Sequence, residues 1–200
     1  MKKLMSAILL LCLLSVTLTA CSSVPYTKGT VTETGFESEF IGIRFTTPEG
    51  YVLSGEEEVT QQMQQGAEAF DLDEDIADAA KKTTVYEMMA ATPLENPKVL
   101  VMVEKAGNSF ISVDRYLNNL EKQLADVDGV AYTFADGLET VEVAGQTYKK
   151  SSCTVTLNGQ TLHQSYIFRK IGDRMVGFIT ACSEDKLDEL DALMRAFEPF

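Results

Sequence analysis

The hydrophobic pattern changes its period several times along the chain. Residues 4–14, LMSAILLLCLL, are a charge-free apolar run behind Lys2 and Lys3, and SVTLTA then tapers it to small residues before Cys21. Residues 22–38 are rich in Ser, Thr, Gly and Glu and read as a tether that leads into a first strand. From residue 39 the pattern is period two. Ile41, Ile43 and Phe45 alternate with Gly42 and Arg44, which predicts a half-buried strand. Pro48 and Gly50 make a turn, and Tyr51 to Leu53 resume an extended run.

A helical block follows. Ser54 and Glu57 have the spacing of a capping box, and Val59, Met63, Ala67 and Phe70 fall near one helix face. Asp71 or Asp73 then caps a shorter helix, EDIADAAKK. Residues 83–92 and 97–106 read as two strands joined by the loop PLENP. The clearest helix lies in 109–127, where Val113, Tyr116, Leu117, Leu120 and Leu124 form a stripe and Ser112 is the expected N-cap. The last third is a strand meander with hairpin turns at Asn158-Gly159 and Gly172-Asp173. A final helix capped by Ser183 is followed by an extended FEPF tail. The composite is α+β, an antiparallel sheet with helices packed on it and a helical insertion near its middle.

Two-residue turns fix a register. Cys153 falls opposite Gln164, and Cys182 opposite His163. Neighbouring residues on a strand point to opposite faces, so the two thiols lie on opposite sides of the sheet, with a strand between them. A disulfide needs Cα atoms within about 7 Å and is excluded in this register. The face holding Cys153, Val155, Leu162, Tyr166, Phe168, Met175 and Ile179 is mostly apolar, as a core face should be. The other face carries Thr154, His163, Ser165, Ile167, Val176, Phe178 and Cys182; it is mixed, and something should partly cover it.

The N-terminus has the three-part layout of a secretory signal peptide, too short in its apolar part for a comfortable transmembrane helix. Leu18-Thr19-Ala20-Cys21 resembles the lipobox of bacterial lipoproteins. That resemblance implies cleavage after residue 20 and a diacylglycerol on the Cys21 thiol, the nucleophile that takes the lipid. Two acyl chains anchor stably where one binds reversibly. The expected organisation is a lipoprotein signal peptide over 1–20, a lipidated N-terminus and tether over 21–38, and one domain over 39–200. The address is the extracytoplasmic face of a cell membrane.

Charge narrows the partners. The full chain carries −13, and removing residues 1–20 takes away two lysines and no acid, leaving −15. Nucleic acid, which needs a basic footprint, is not an expected partner. Nor would so acidic a chain adhere to an anionic membrane by charge, so lipid must hold it. The expected state is a monomer with a protein or small-molecule partner of unknown identity.

The two ends resemble the PsbP/Mog1-like domains. GIRFTTPEGY is similar to their opening strand, with Tyr51 where tryptophan is common. VEVAGQTY through FEPF is similar to their closing meander, turn and final helix. The chain also resembles small lipoproteins of anaerobic gut bacteria that share the opening. The resemblance implies an α/β/α sandwich and an accessory or binding role in place of catalysis, and it carries no catalytic residues over.

The residues themselves offer little chemistry. His163 is the only histidine, so a Ser-His-Asp site would have to use it, and no serine sits in a nucleophile elbow. A thiol–imidazole pair of Cys182 and His163 is compatible with the register, but a metal site would need more ligands than these two. Asp71, Asp73 and Asp75 begin like a calcium loop, yet Ile76 stands where glycine is needed and Lys82 where glutamate is needed. Helix capping explains the aspartates better, with a weak surface calcium site as the residual option. No catalytic residue, cofactor or metal site is assigned. The expected function is a non-catalytic accessory or binding protein. The alternative is an extracytoplasmic hydrolase with an atypical site built from His163 or the Asp71–Asp78 cluster.

Overall fold

The computed structural model describes residues 25–69, 83–106, 111–127, 129–157 and 159–200. In chain order its elements are β1 (Thr30–Val31), β2 (Gly35–Ser38), β3 (Ile43–Thr46), β4 (Val52–Gly55), α1 (Glu56–Ala69), β5 (Thr84–Ala91), β6 (Lys98–Lys105), α2 (Val113–Ala125), β7 (Ala131–Phe134), β8 (Glu139–Val143), β9 (Gln146–Leu157), β10 (Gln160–Ile171), β11 (Arg174–Cys182), α3 (Leu187–Met194) and β12 (Phe197–Pro199). A short 3-10 turn, Glu184–Lys186, leads into α3.

Val99 to Val103 are five consecutive buried residues, which is what a strand covered on both faces requires. That strand, β6, lies inside an eight-stranded sheet of order β4-β5-β6-β11-β10-β9-β7, with β8 also paired to β9. A second sheet has the order β1-β2-β3-β12. All pairings are antiparallel.

Alternation along the strands divides the core into layers. Val99, Val101, Val103, Ile167, Val176 and Phe178 face the small sheet, where Phe36, Ile43 and Phe45 meet them and Leu193 of α3 joins. Phe197 packs in a tilted arrangement at 4.6 Å from Phe45 and edge-on at 5.0 Å to Phe178, tying the C-terminal strand to both sheets. Met102, Cys153, Tyr166, Phe168 and Met175 face the other way, toward Leu117 of α2. Val59 of α1 packs on Met89 and Leu100 of that same face. Each buried large side chain contributes on the order of 1.5–3 kcal/mol by leaving water. The layers are therefore α1 and α2, then the large sheet, then the small sheet with α3. The small sheet is the cover that the mixed face of the meander required.

The register follows the turns. Gln164 pairs with Cys153 and His163 with Cys182, and both cysteines are buried free thiols. The Ser112 hydroxyl accepts from the Arg115 N–H and caps α2.

Three features depart from the sequence pattern or add to it. Ser54 does not cap α1; it lies in β4, paired with Met89, and the helix begins at Glu56. The run 139–157 is two strands, because Ala144 and Gly145 form a tight turn with φ of 50° and 69°. The stretch read as a tether to residue 38 holds β1 and β2; Phe36 is fully buried, and Tyr26 packs against the core. Its polar composition is that of a short edge strand and turns, with Phe36 as the one large apolar anchor. The second helix of the insertion, with Asp71–Asp78, lies outside the described residues, as does Cys21.

Candidate functional site

The turn Ala144-Gly145 puts the tip of the β8–β9 hairpin beside the C-terminal strand. Between them lies an open groove of about 450 Å³. Its walls are the hairpin tip from Glu142 to Gly145, the end of α3 at Asp191, Met194 and Arg195, and β12. Two features of the groove follow from local sequence. Ala144 holds a left-handed φ of 50°, a conformation that costs a residue with a Cβ about 1 kcal/mol or more. Its methyl is partly buried against the core, which offsets part of that cost. The helix α3 ends at Arg195, whose N–H bonds the Asp191 carbonyl at 3.2 Å, and the chain then turns into β12.

The floor is apolar, from Val143, Met194, Phe197 and Pro199, while Glu142, Asp191 and Glu198 put three carboxylates at the walls against Arg195. β8 pairs only with β9, and β12 only with β3, among the described residues. The groove is thus bordered by edge strands of both sheets. An edge strand offers unpaired backbone groups to an extended segment, and Pro199 removes one donor from the β12 edge. Chemically the site suits an elongated ligand with apolar and positively charged groups. Sequence reasoning missed it because its walls are some fifty residues apart in the chain.

The sequence-singled residues lie elsewhere. His163 and Cys182 are cross-strand neighbours as expected, but the His163 Nε2 is paired with the carboxylate of Glu184. The Cys182 thiol is pushed up, first by burial and then by Asp191, Glu184 and Asp185. A nucleophilic thiol needs the reverse shift. Among the described residues, no three His, Cys, Asp or Glu side chains converge to hold a metal ion. No helix among them is long and apolar enough to cross a membrane.

One buried carboxylate stands apart. β5 bulges between Tyr86 and Met88, and Glu87 at the bulge is 1 % exposed. It accepts from the Tyr26 hydroxyl at 2.7 Å and the Gly29 N–H at 2.9 Å. Burial raises its pKa above the ordinary value, although both hydrogen bonds and Lys28 pull the other way. Tyr26 is raised by its own burial and by the carboxylate beside it. Its ring meets Phe40 edge-on at 5.1 Å, and the Arg174 guanidinium lies 4.4 Å from the ring centre. Every partner of this carboxylate is structural, so it acts as a clamp on the N-terminal segment.

No family model matches the chain, and no curated protein matches it. Solved structures do. Cyanobacterial PsbP (CyanoP) from Synechocystis sp. PCC 6803 superimposes with a TM-score of 0.50 at 12% identity, over 92% of this chain and 99% of that one. LpqN, described as involved in cell envelope biogenesis of Mycobacterium tuberculosis, matches at a TM-score of 0.45 and 12% identity, over 78% of this chain and 82% of that one. The CyanoP likeness shows the fold: an α+β, PsbP-like arrangement of antiparallel sheet and helices.

Proposed function

We propose that this chain is a non-catalytic accessory or binding protein, held at the extracytoplasmic face of the cell membrane by lipid on Cys21, and that it binds its partner in the β8–β12 groove. The observation that carries the binding role is the groove itself: an apolar floor, edge strands on its border and three carboxylates against one arginine. Those features favour an extended protein segment bearing basic side chains, whose backbone can add to the β8 edge. The lipobox-like LTAC and the apolar run before it support the anchor.

Photo-crosslinking in intact cells tests the reading. A crosslinking side chain at Glu142 or Glu198 should trap one recurrent adduct, and the same group at Leu162, an exposed position on β10, should not. With the crosslinking side chain at Glu142, the charge reversal Glu198→Lys should strongly reduce the adduct without lowering the melting temperature. Equal or absent trapping at all positions would sink the binding role. Cys21→Ser should release the protein from the membrane fraction; retention there would sink the anchor.

A further inference from the structure

The loop between β5 and β6 holds an apolar side chain out in water. Thr92 to Glu95 form a β-turn, closed by the Glu95 N–H on the Thr92 carbonyl at 2.8 Å. Pro93 takes the second position, where its fixed φ suits the turn, and Leu94 takes the third. Leu94 is 88 % exposed. Turn chemistry favours glycine or a small polar residue there, so the leucine serves no local need.

The loop is firmly framed. The Thr92 hydroxyl donates to the Asn96 carbonyl at 2.9 Å and accepts from the Asn96 N–H at 3.1 Å. The Asn96 side chain donates to the Ser183 hydroxyl at 2.8 Å and accepts from the Ser183 N–H at 3.0 Å. Glu95 holds a left-handed φ of 55°, a conformation unfavourable to a residue with a Cβ. Five hydrogen bonds thus fix a turn whose corner leucine stays almost wholly in water. A rigid, exposed apolar side chain suits an interface anchor, because little freedom is left for binding to remove.

The surroundings select the occupant. The Asn96–Ser183 bonds bring the loop beside the start of the 3-10 turn and α3, where Glu184, Asp185, Asp188 and Glu189 flank the exposed Leu187. Glu95 adds a fifth carboxylate, and Lys98 and Lys186 offset only two of the five, through ion pairs with Glu95 and Glu189. An acid-rimmed knob repels anionic phospholipid headgroups. It also repels a second copy of a chain that carries −13. It fits an apolar pocket bordered by lysine or arginine. The loop lies at the Lys98–Ala181 end of the large sheet, whereas the β8–β9 tip that walls the groove lies at the Lys105–Arg174 end.

We propose that the Leu94 turn is a second docking surface, which takes a partner protein whose apolar pocket is rimmed by basic side chains. This surface is independent of the groove.

The test is photo-crosslinking of the full chain in intact cells, with the crosslinking side chain at Glu184, exposed and next to Ser183, and mass mapping of the trapped peptide. One adduct is expected, on a peptide where apolar residues stand beside lysine or arginine. Leu94→Ser should reduce it at least about tenfold. Leu94→Met keeps the volume and should retain it. Glu95→Lys reverses a charge beside the knob and should reduce it several-fold. None of these changes should shift the melting temperature by more than about 2 °C, because both positions are exposed. Four results overturn the docking surface: no adduct, an adduct to phospholipid or to a second copy, a mapped site without basic neighbours, or trapping that survives Leu94→Ser. Failure of the groove reading shows separately, at the crosslinker on Glu142.

Discussion

Tyr26 and Glu87 are 61 residues apart in sequence and share a 2.7 Å hydrogen bond in which the phenol donates to a carboxylate that is 1 % exposed. That bond joins the N-terminal segment to the bulge of β5. Replacing Glu87 by Ala would leave the Tyr26 hydroxyl and the Gly29 N–H without their acceptor. An orphaned buried donor costs about 1–3 kcal/mol, so Glu87→Ala should lower the unfolding free energy by roughly 2–4 kcal/mol. Urea denaturation followed by circular dichroism reads this directly. An unchanged midpoint would mean that the clamp contributes nothing to the fold.

The same carboxylate should leave a pH signature. Its folded-state pKa is raised, chiefly by burial, so the folded protein holds the proton to higher pH than the unfolded chain does. Stability from this group is then fully present below the unfolded pKa and is lost as pH rises through the folded one. Glu87→Gln removes the titration. The stability of the native protein relative to Glu87→Gln should therefore fall between acidic and neutral pH. A difference that grows over that interval would show that the hydrogen bonds from Tyr26 and Gly29 outweigh burial.

Two serines separate what the chain made legible from what it did not. Ser112 precedes a long apolar stripe, and its hydroxyl caps α2 through the Arg115 N–H at 3.2 Å. Ser54 carries a comparable local motif, but the β4–β5 pairing claims it first, and α1 starts two residues later. Ser112→Ala should cost about 1 kcal/mol, the value of a lost N-cap. Ser54→Ala, in an edge strand, should stay within about 0.5 kcal/mol. Thermal melts of both variants check the contrast.

The same distinction runs through the whole fold. Hairpin turns and alternation are local, so the register of β9, β10 and β11 could be read from residues 146–182 alone. The small sheet could not. Phe36 is the one strong apolar mark of β2 in a polar stretch, and the sheet that buries it is completed only by β12, far along the chain, which pairs with β3. The bulge at Glu87 leaves no trace in the pattern except a lone acid inside an apolar strand. The groove is less legible still, since residues 142–145 and 191–199 meet only after both sheets have formed.

The thiols provide a test of register in solution. Cys153 and Cys182 sit on opposite faces of the large sheet, and burial pushes the Cys153 thiol up to about 11, with Glu121 adding to it. At pH 8 its thiolate fraction is lower than that of an ordinary cysteine by on the order of a hundredfold. Alkylation of the native protein should be slower than that of the urea-unfolded chain by at least that factor, with two thiols appearing on unfolding without reductant. A mass two hydrogens short before reduction would reveal a disulfide and overturn the register.

Gly177 lies opposite Phe168 in the β10–β11 pair, and the Phe168 ring covers it. A Cβ at 177 would stand 2.2 Å from the ring edge. The ring cannot retreat cheaply, because Phe168 is 1 % exposed and packs at 5.1 Å against Tyr116 of α2. Gly177→Ala should therefore destabilise by about 1–3 kcal/mol, the usual cost of overpacking a core. The cause can be isolated with Phe168→Ala, which is costly alone but empties the space that the new methyl needs. In that background Gly177→Ala should become neutral or slightly stabilising, since alanine loses less conformational freedom than glycine in a strand. A double-mutant cycle by urea denaturation should thus return a coupling of at least about 1 kcal/mol. Additive effects would mean that the glycine is there for a backbone reason and that the Phe168 ring is free to move.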